Sequence, residues 1–193
     1  SLNSMNLFEI VHSLKRQFGP EYWTLYRGKH LFSFADNHDV TRAASILNEP
    51  RHLPLIYALM FGMPGIPCVY YGSEWGVQGD KREGDWALRP EIERPQWNSL
   101  TGDIAAMAAA WNGSAALRRG DFQDIVLTNR QCVFRREAEG ERVFVAVNAD
   151  SQPYTAHFDA DCGRLRELAG GREVEMRGTL ELPPYSWGFY RAI

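Results

Sequence analysis

The chain has 193 residues, 45% of them hydrophobic and 23% charged, with a formal net charge of −3. Charges of both signs are interspersed and no basic block stands out, which gives no support for a nucleic-acid or membrane partner. Three cysteines (Cys68, Cys132, Cys162) without a CxxC spacing indicate neither a disulfide framework nor a zinc site, and favour a reducing cytoplasmic location.

In chain order, Asn6-Leu-Phe-Glu9 reads as a capping box. Leu7, Ile10, Val11, Leu14 and Phe18 then follow helical spacing until Gly19-Pro20 stops the helix. The start, Ser1-Leu-Asn-Ser-Met5, has no signal-peptide layout and reads as a chain cut from something longer. An apolar strand is expected at 30–35, a helix at 51–61 with Pro54 tolerated in its first turn, and a second strand at 66–71 with Cys68 packed as a small hydrophobe. The apolar region around that second strand is broken by Gly62, Pro64, Gly65 and Pro67, so it is no membrane span. Both strands are almost continuously apolar, the pattern of parallel strands covered on both faces, and the unit is a βαβ crossover.

Residues 73–98 form a long polar loop whose three tryptophans, Trp75, Trp86 and Trp97, argue for order. An Ala-rich helix is expected at about 101–111. Beyond residue 118 the character changes to short strands separated by turn signals, at 122–128, 131–137, 142–149, 154–158, 164–168, 172–176, 179–182 and 186–191. The expected fold class is therefore α/β plus all-β, in two domains: an α/β part over 1–117 and an antiparallel β-sandwich over 118–193.

The strand at 30–35 ends in Asp36-Asn37-His38-Asp39, and the next in Tyr71-Gly72 followed by Glu74. Function in parallel α/β sheets collects at such C-terminal strand ends. The segment FADNHD (34–39), followed by GIPCVYYGSE (65–74), ALRRGDF (116–122) and PPYSWGFYR (183–191), resembles in order the signature regions of the α-amylase family of glycoside hydrolases. The resemblance covers nearly the whole chain. It implies a (β/α)₈ barrel, of which this chain supplies the last two strands and late helices, followed by a β-sandwich. It also implies an oligosaccharide-processing enzyme of maltodextrinase type.

By the same resemblance, Asp39 matches the family's transition-state-stabilising carboxylate, and His38 and Asn37 stand beside it on the sugar. Asp85 and Arg89 are similar to an Asp/Arg pair that binds the substrate's non-reducing side, although this chain lacks the Pro that usually follows the Asp and the second Arg. Trp86 and Trp75 are candidate stacking platforms, since an aromatic ring offers a pyranose a flat apolar face; Trp97 is expected in the core. Asp36 is expected as a turn residue at the pocket edge. Arg42 is open to a pocket role or an ion pair, and Glu74 is expected to bond the loop backbone. His12, His30, His52 and His157 show no ligand spacing.

A retaining glycosidase needs two carboxyl groups about 5–5.5 Å apart. Nothing here resembles the family segments that carry the nucleophile and the acid/base, so both are expected upstream of residue 1 and the chain is expected to be inactive alone. Two strands of a closed barrel would leave unpaired edges, which predicts self-association. The implied partner is an α-glucan or maltooligosaccharide; no cofactor is implied and no metal-ligand spacing is present. Readings from other classes are a non-catalytic carbohydrate-binding module and an amylase-like interaction scaffold.

Overall fold

A computed structural model describes all residues, 1–193. Helix α1 (Leu7–Phe18) buries Leu7, Val11 and Leu14 on one face. The expected capping box is absent, because the Asn6 side chain makes no cap bond. Leu7 N–H donates instead to Asn129 O at 2.9 Å, and Glu9 pairs with the terminal amine of Ser1 at 3.5 Å. A tertiary acceptor has satisfied a helix-end donor that local chemistry would otherwise serve.

Strands β1 (Phe32–Phe34) and β2 (Ile66–Cys68) pair in parallel, with Phe32 opposite Ile66 and Phe34 opposite Cys68. Between them lie α2 (Ala43–Ile46) and α3 (Leu53–Gly62), so the βαβ unit forms as its sequence predicts. Both strands are shorter than expected and they are not covered on both faces: Phe32 is 74% exposed, Phe34 52%, and Cys68 is exposed rather than packed. The physical reason is that no other strand joins this two-stranded sheet. The two phenyl rings stand at an open apolar hollow of about 490 Å³, which Leu31, Ile46, Met60 and Met63 also line.

Loop 73–98 is ordered by short turns and by α4 (Asp85–Leu88). Helix α5 (Ser99–Gly113) opens on a true capping box, Asn98 accepting from Thr101 N–H at 2.9 Å, and α6 (Ala115–Arg119) follows.

All eight late strands form: β3 (Gln123–Leu127), β4 (Gln131–Ala138), β5 (Glu141–Asn148), β6 (Tyr154–His157), β7 (Arg164–Glu167), β8 (Glu173–Glu175), β9 (Thr179–Leu182) and β10 (Ser186–Ala192). Six make one antiparallel sheet in the order β3-β4-β5-β10-β7-β8, while β6 and β9 pair separately. Side chains alternate across the large sheet. Val133, Phe144, Ala146 and Tyr190 pack with Ala156, Leu180 and Leu182 of the β6–β9 pair. Phe134, Val143, Val145, Val147 and Phe189 pack on the other face against residues of α1, α3 and α5.

That second cluster is one core shared by residues before and after position 118. The packing is tight at Gly62, where a Cβ would lie 2.6 Å from Val145 Cγ1. Two buried side chains cross the same junction. Arg136 donates to the carbonyls of Gly62 (2.6 Å), Gly120 (2.9 Å) and Asp121 (2.9 Å), and His52 Nε2 lies 2.9 Å from Ala149 O. No helix is long and apolar enough to cross a membrane.

Candidate functional site

The polar end of β1 is built from the inside outward. Asp36 is 2% exposed; its Oδ1 accepts from Ser73 Oγ at 2.6 Å and its Oδ2 from Ala43 N–H at 2.8 Å. It is therefore a buried anchor rather than a turn residue at the pocket edge. Arg42 is fully buried and donates to Tyr71 O (2.9 Å), Ser73 Oγ (3.1 Å) and Leu88 O (2.9 Å). Its guanidinium also lies 4.2 Å from the centroid of the Tyr70 ring. Of the two readings open in sequence, Arg42 takes the structural one. Through it, the loop after β1, the segment after β2 and the end of α4 become one unit.

On this buried platform sits an exposed charged row. Asn37 Oδ1 accepts from Asp39 N–H at 2.8 Å, an Asx turn that turns the chain so that His38 and Asp39 lie at the surface. His38 Nε2 is 3.2 Å from Asp39 Oδ2. Arg89 Nη2 is 3.5 Å from Asp39 Oδ1, 3.4 Å from His38 O and 3.9 Å from Asp85 Oδ2. Lys81 Nζ bonds Asp85 Oδ1 in turn. Lys81, Asp85, Arg89 and Asp39 thus alternate in charge along one line, with His38 at its end. The hydrogen bond from Lys81, followed by its charge, holds the Asp85 carboxyl below the usual carboxylate range. A general acid needs the opposite displacement, so Asp85 is suited to holding hydroxyl groups and not to donating a proton.

Aromatic groups edge the row. The His38 ring is 6.2 Å from Tyr70, which stands edge-on to Tyr71 at 4.8 Å, and Tyr71 Oη donates to Pro90 O at 3.0 Å. Trp86 is 74% exposed beside Gly84. Trp97 is equally exposed, which corrects the expectation that it lies in the core. Trp75 is half-buried, its carbonyl accepting from Asn98 Nδ2 at 3.3 Å. Glu74 engages Thr101 through its backbone carbonyl, and its Oε2 is buried with no partner, so the expected carboxylate bond to the loop is not made by that atom.

The structure brings His38, Asp39, Asp85 and Arg89 together. Sequence reasoning missed Lys81 and Tyr70, and noted Tyr71 only for its place at a strand end. Lys81 carried a readable signal, the four-residue spacing to Asp85, but an i,i+4 pair is informative only where a helical turn is expected. Among the cysteine, histidine and acidic side chains, no group of three is placed to hold a metal ion.

The family model described as "Alpha amylase, catalytic domain" matches residues 3–124. The chain belongs to the α-amylase family. It is similar to a cyclomaltodextrinase of a Bacillus species, 27% identical over 152 residues, covering 77% of this chain and 26% of that protein. It is also similar to a cyclomaltodextrin glucanotransferase of Geobacillus stearothermophilus, 28% identical over 120 residues, covering 62% of this chain and 16% of that one. An Anoxybacillus α-amylase structure superimposes with a TM-score of 0.74 at 26% identity, over 84% of this chain and 38% of that chain. The acarbose complex of the Geobacillus thermoleovorans α-amylase superimposes with a TM-score of 0.80, over 97% of this chain and 42% of that one. At 23% identity that likeness speaks for the fold alone. The chain spans about a quarter to a third of the length of the first curated relatives it matches.

Proposed function

We propose that this chain is the C-terminal section of a retaining hydrolase or transglycosylase acting on α-1,4-linked gluco-oligosaccharides. Residues 1–117 are the last two strands and late helices of a (β/α)₈ barrel, and residues 118–193 the β-sandwich that follows it. The observation that carries this reading is the convergence of His38-Asp39 and Asp85-Arg89, from separate loops, at the C-terminal ends of two parallel strands.

In this mechanism Asp39 accepts hydrogen bonds from sugar hydroxyls that tighten as the ring flattens toward an oxocarbenium-like state. His38 donates to the same sugar, and Asn37, whose oxygen is committed to the turn, offers its amide N–H groups. Asp85 and Arg89 hold the adjoining sugar, and Trp86 supplies an apolar face. Nucleophile and acid/base come from outside this chain, which is inactive by itself. The exposed Phe32 and Phe34 support self-association through the incomplete barrel. Three unpaired thiols, one of them exposed, support a cytoplasmic location.

The experiment is turnover and binding of a maltooligosaccharide by the chain and by Asp39→Asn. Binding without turnover, weakened in the variant, is the expected result. Turnover that vanishes in Asp39→Asn would show that the chain holds a complete carboxylate pair and overturn the reading. One observation favours a second reading, a purely carbohydrate-binding module: the rings of Trp86 and Trp97 are both 74% exposed. Binding that survives Asp39→Asn but is lost in Trp86→Ala and Trp97→Ala would establish that alternative.

A further inference from the structure

A second cleft, of about 360 Å³, opens between the loop after α1 and the segment joining α6 to β3. Its walls carry Arg27, Lys29, His30, Arg118, Arg119 and Arg136, against a single carboxylate, Asp121. This concentration of cations occurs in a chain whose net charge is −3, so composition alone does not produce it.

The acids of the fold leave most of these charges unanswered. Arg119 pairs with Glu139 at 2.6 Å, but Arg27, Lys29 and Arg118 make no ion pair. Arg136 is 1% exposed, and all its hydrogen bonds go to backbone carbonyls, with no carboxylate in contact. Burial pushes its pKa down and the Asp121 carboxylate offsets only part of this, so a further anion in the cleft relieves the remainder. The negative end of α1 does not compensate, because Leu25 N–H and Tyr26 N–H cover the carbonyls of Arg16 and Gln17.

The geometry points to an anion site in this cleft, taking a small molecule that carries a phosphate group. Guanidinium forks match phosphate oxygens two at a time, several cations suit a dianion better than a lone carboxylate, and the volume is that of a small-ligand site. A long polyanion would need a continuous basic track, whereas these residues converge on one cleft.

The test is calorimetric titration of the whole chain with inorganic phosphate, pyrophosphate and glucose 1-phosphate. Sodium chloride at matched ionic strength and a single-stranded oligonucleotide serve as comparisons. One saturable site for the phosphates is expected. The double variant Arg27→Gln, Lys29→Gln should weaken it about tenfold or more, since both side chains are exposed and unpaired and their loss leaves the fold intact. Arg177→Gln, remote on the β8–β9 turn, should leave affinity unchanged. Tighter binding of glucose 1-phosphate than of inorganic phosphate assigns the sugar to the ligand, while equal affinity assigns the phosphate group alone; either upholds the site. Heats no different from those with sodium chloride, affinity unchanged in the double variant, or saturation by the oligonucleotide only would overturn it.

Discussion

Arg89 Nη2 stands 3.5 Å from Asp39 Oδ1 and 3.9 Å from Asp85 Oδ2, one cation between two carboxylates delivered by different loops. All three side chains are about half exposed, so the pairs contribute little to stability, and what they fix is the spacing of acceptors along the row. Arg89→Ala should therefore leave the unfolding free energy within about 0.5 kcal/mol. In the same variant, maltooligosaccharide binding, followed by NMR shifts of His38 and Asp39, should weaken about tenfold. A loss of stability without a loss of binding would show that Arg89 is a structural clamp.

Arg42 behaves in the opposite way. Two of its three charge-assisted bonds are buried and the third is partly so, and removing it strands the carbonyl of Leu88 and takes a donor from the Ser73 hydroxyl. Arg42→Met should cost about 3 kcal/mol in urea unfolding. Arg42→Lys, with one ammonium in place of a planar fork, should recover only part of this. A cost below about 1 kcal/mol for Arg42→Met would mean water replaces the guanidinium.

At Gly62 the end of α3 meets β5 with no room for a side chain. Gly62→Ala forces the Val145 methyl groups aside and should destabilise by about 1–3 kcal/mol, although alanine is the better helix former. Because the core is shared, fluorescence and far-ultraviolet dichroism should report one coincident transition. Two separated transitions would mean the halves fold independently.

Several carboxylates held low by basic partners contribute to acid sensitivity, and Asp80 and Glu49 are displaced furthest. Bonding to Arg82 lowers Asp80 to about 2, and bonding to Arg51 lowers Glu49 to about 2. Their folded values lie below the unfolded ones of 3.8 and 4.5. Their contribution is thus complete above about pH 5 and lost as pH falls toward 2. Solvent screens these exposed pairs, so the melting temperature should drop only slightly through that window, and less steeply in Asp80→Asn, Glu49→Gln. An equal slope in the double variant would assign the acid response to other carboxylates.

The exposed faces of Phe32 and Phe34 predict concentration-dependent association. Sedimentation should show oligomers of the parent chain and mainly monomer for Phe32→Lys, Phe34→Lys. Identical sedimentation of the two would remove the β1–β2 face as the contact.

The eight late strands were legible because each is a short apolar run between turn residues, and the crossover was legible from two apolar runs flanking a helix. Residues at the candidate site were legible only as motifs in order. Asp36 and Arg42 were misread or left open because burial is a property of neighbours, and most of the neighbours here come from residues 71–88. Phe32 and Phe34 were read as covered because an apolar run states a need for cover without stating whether this chain supplies it.

Local pattern by itself determined the three longer helices, the two parallel strands, the eight late strands and the family motifs, because backbone preference and hydrophobic period act within a few residues. Only the tertiary structure decided that Lys81, Asp85, Arg89, Asp39 and His38 stand in one row. It also decided that one core crosses residue 118, and that Arg27, Lys29 and Arg136 face a common cleft. Those relationships join residues tens of positions apart, and the chain must close on itself before charge and volume can meet.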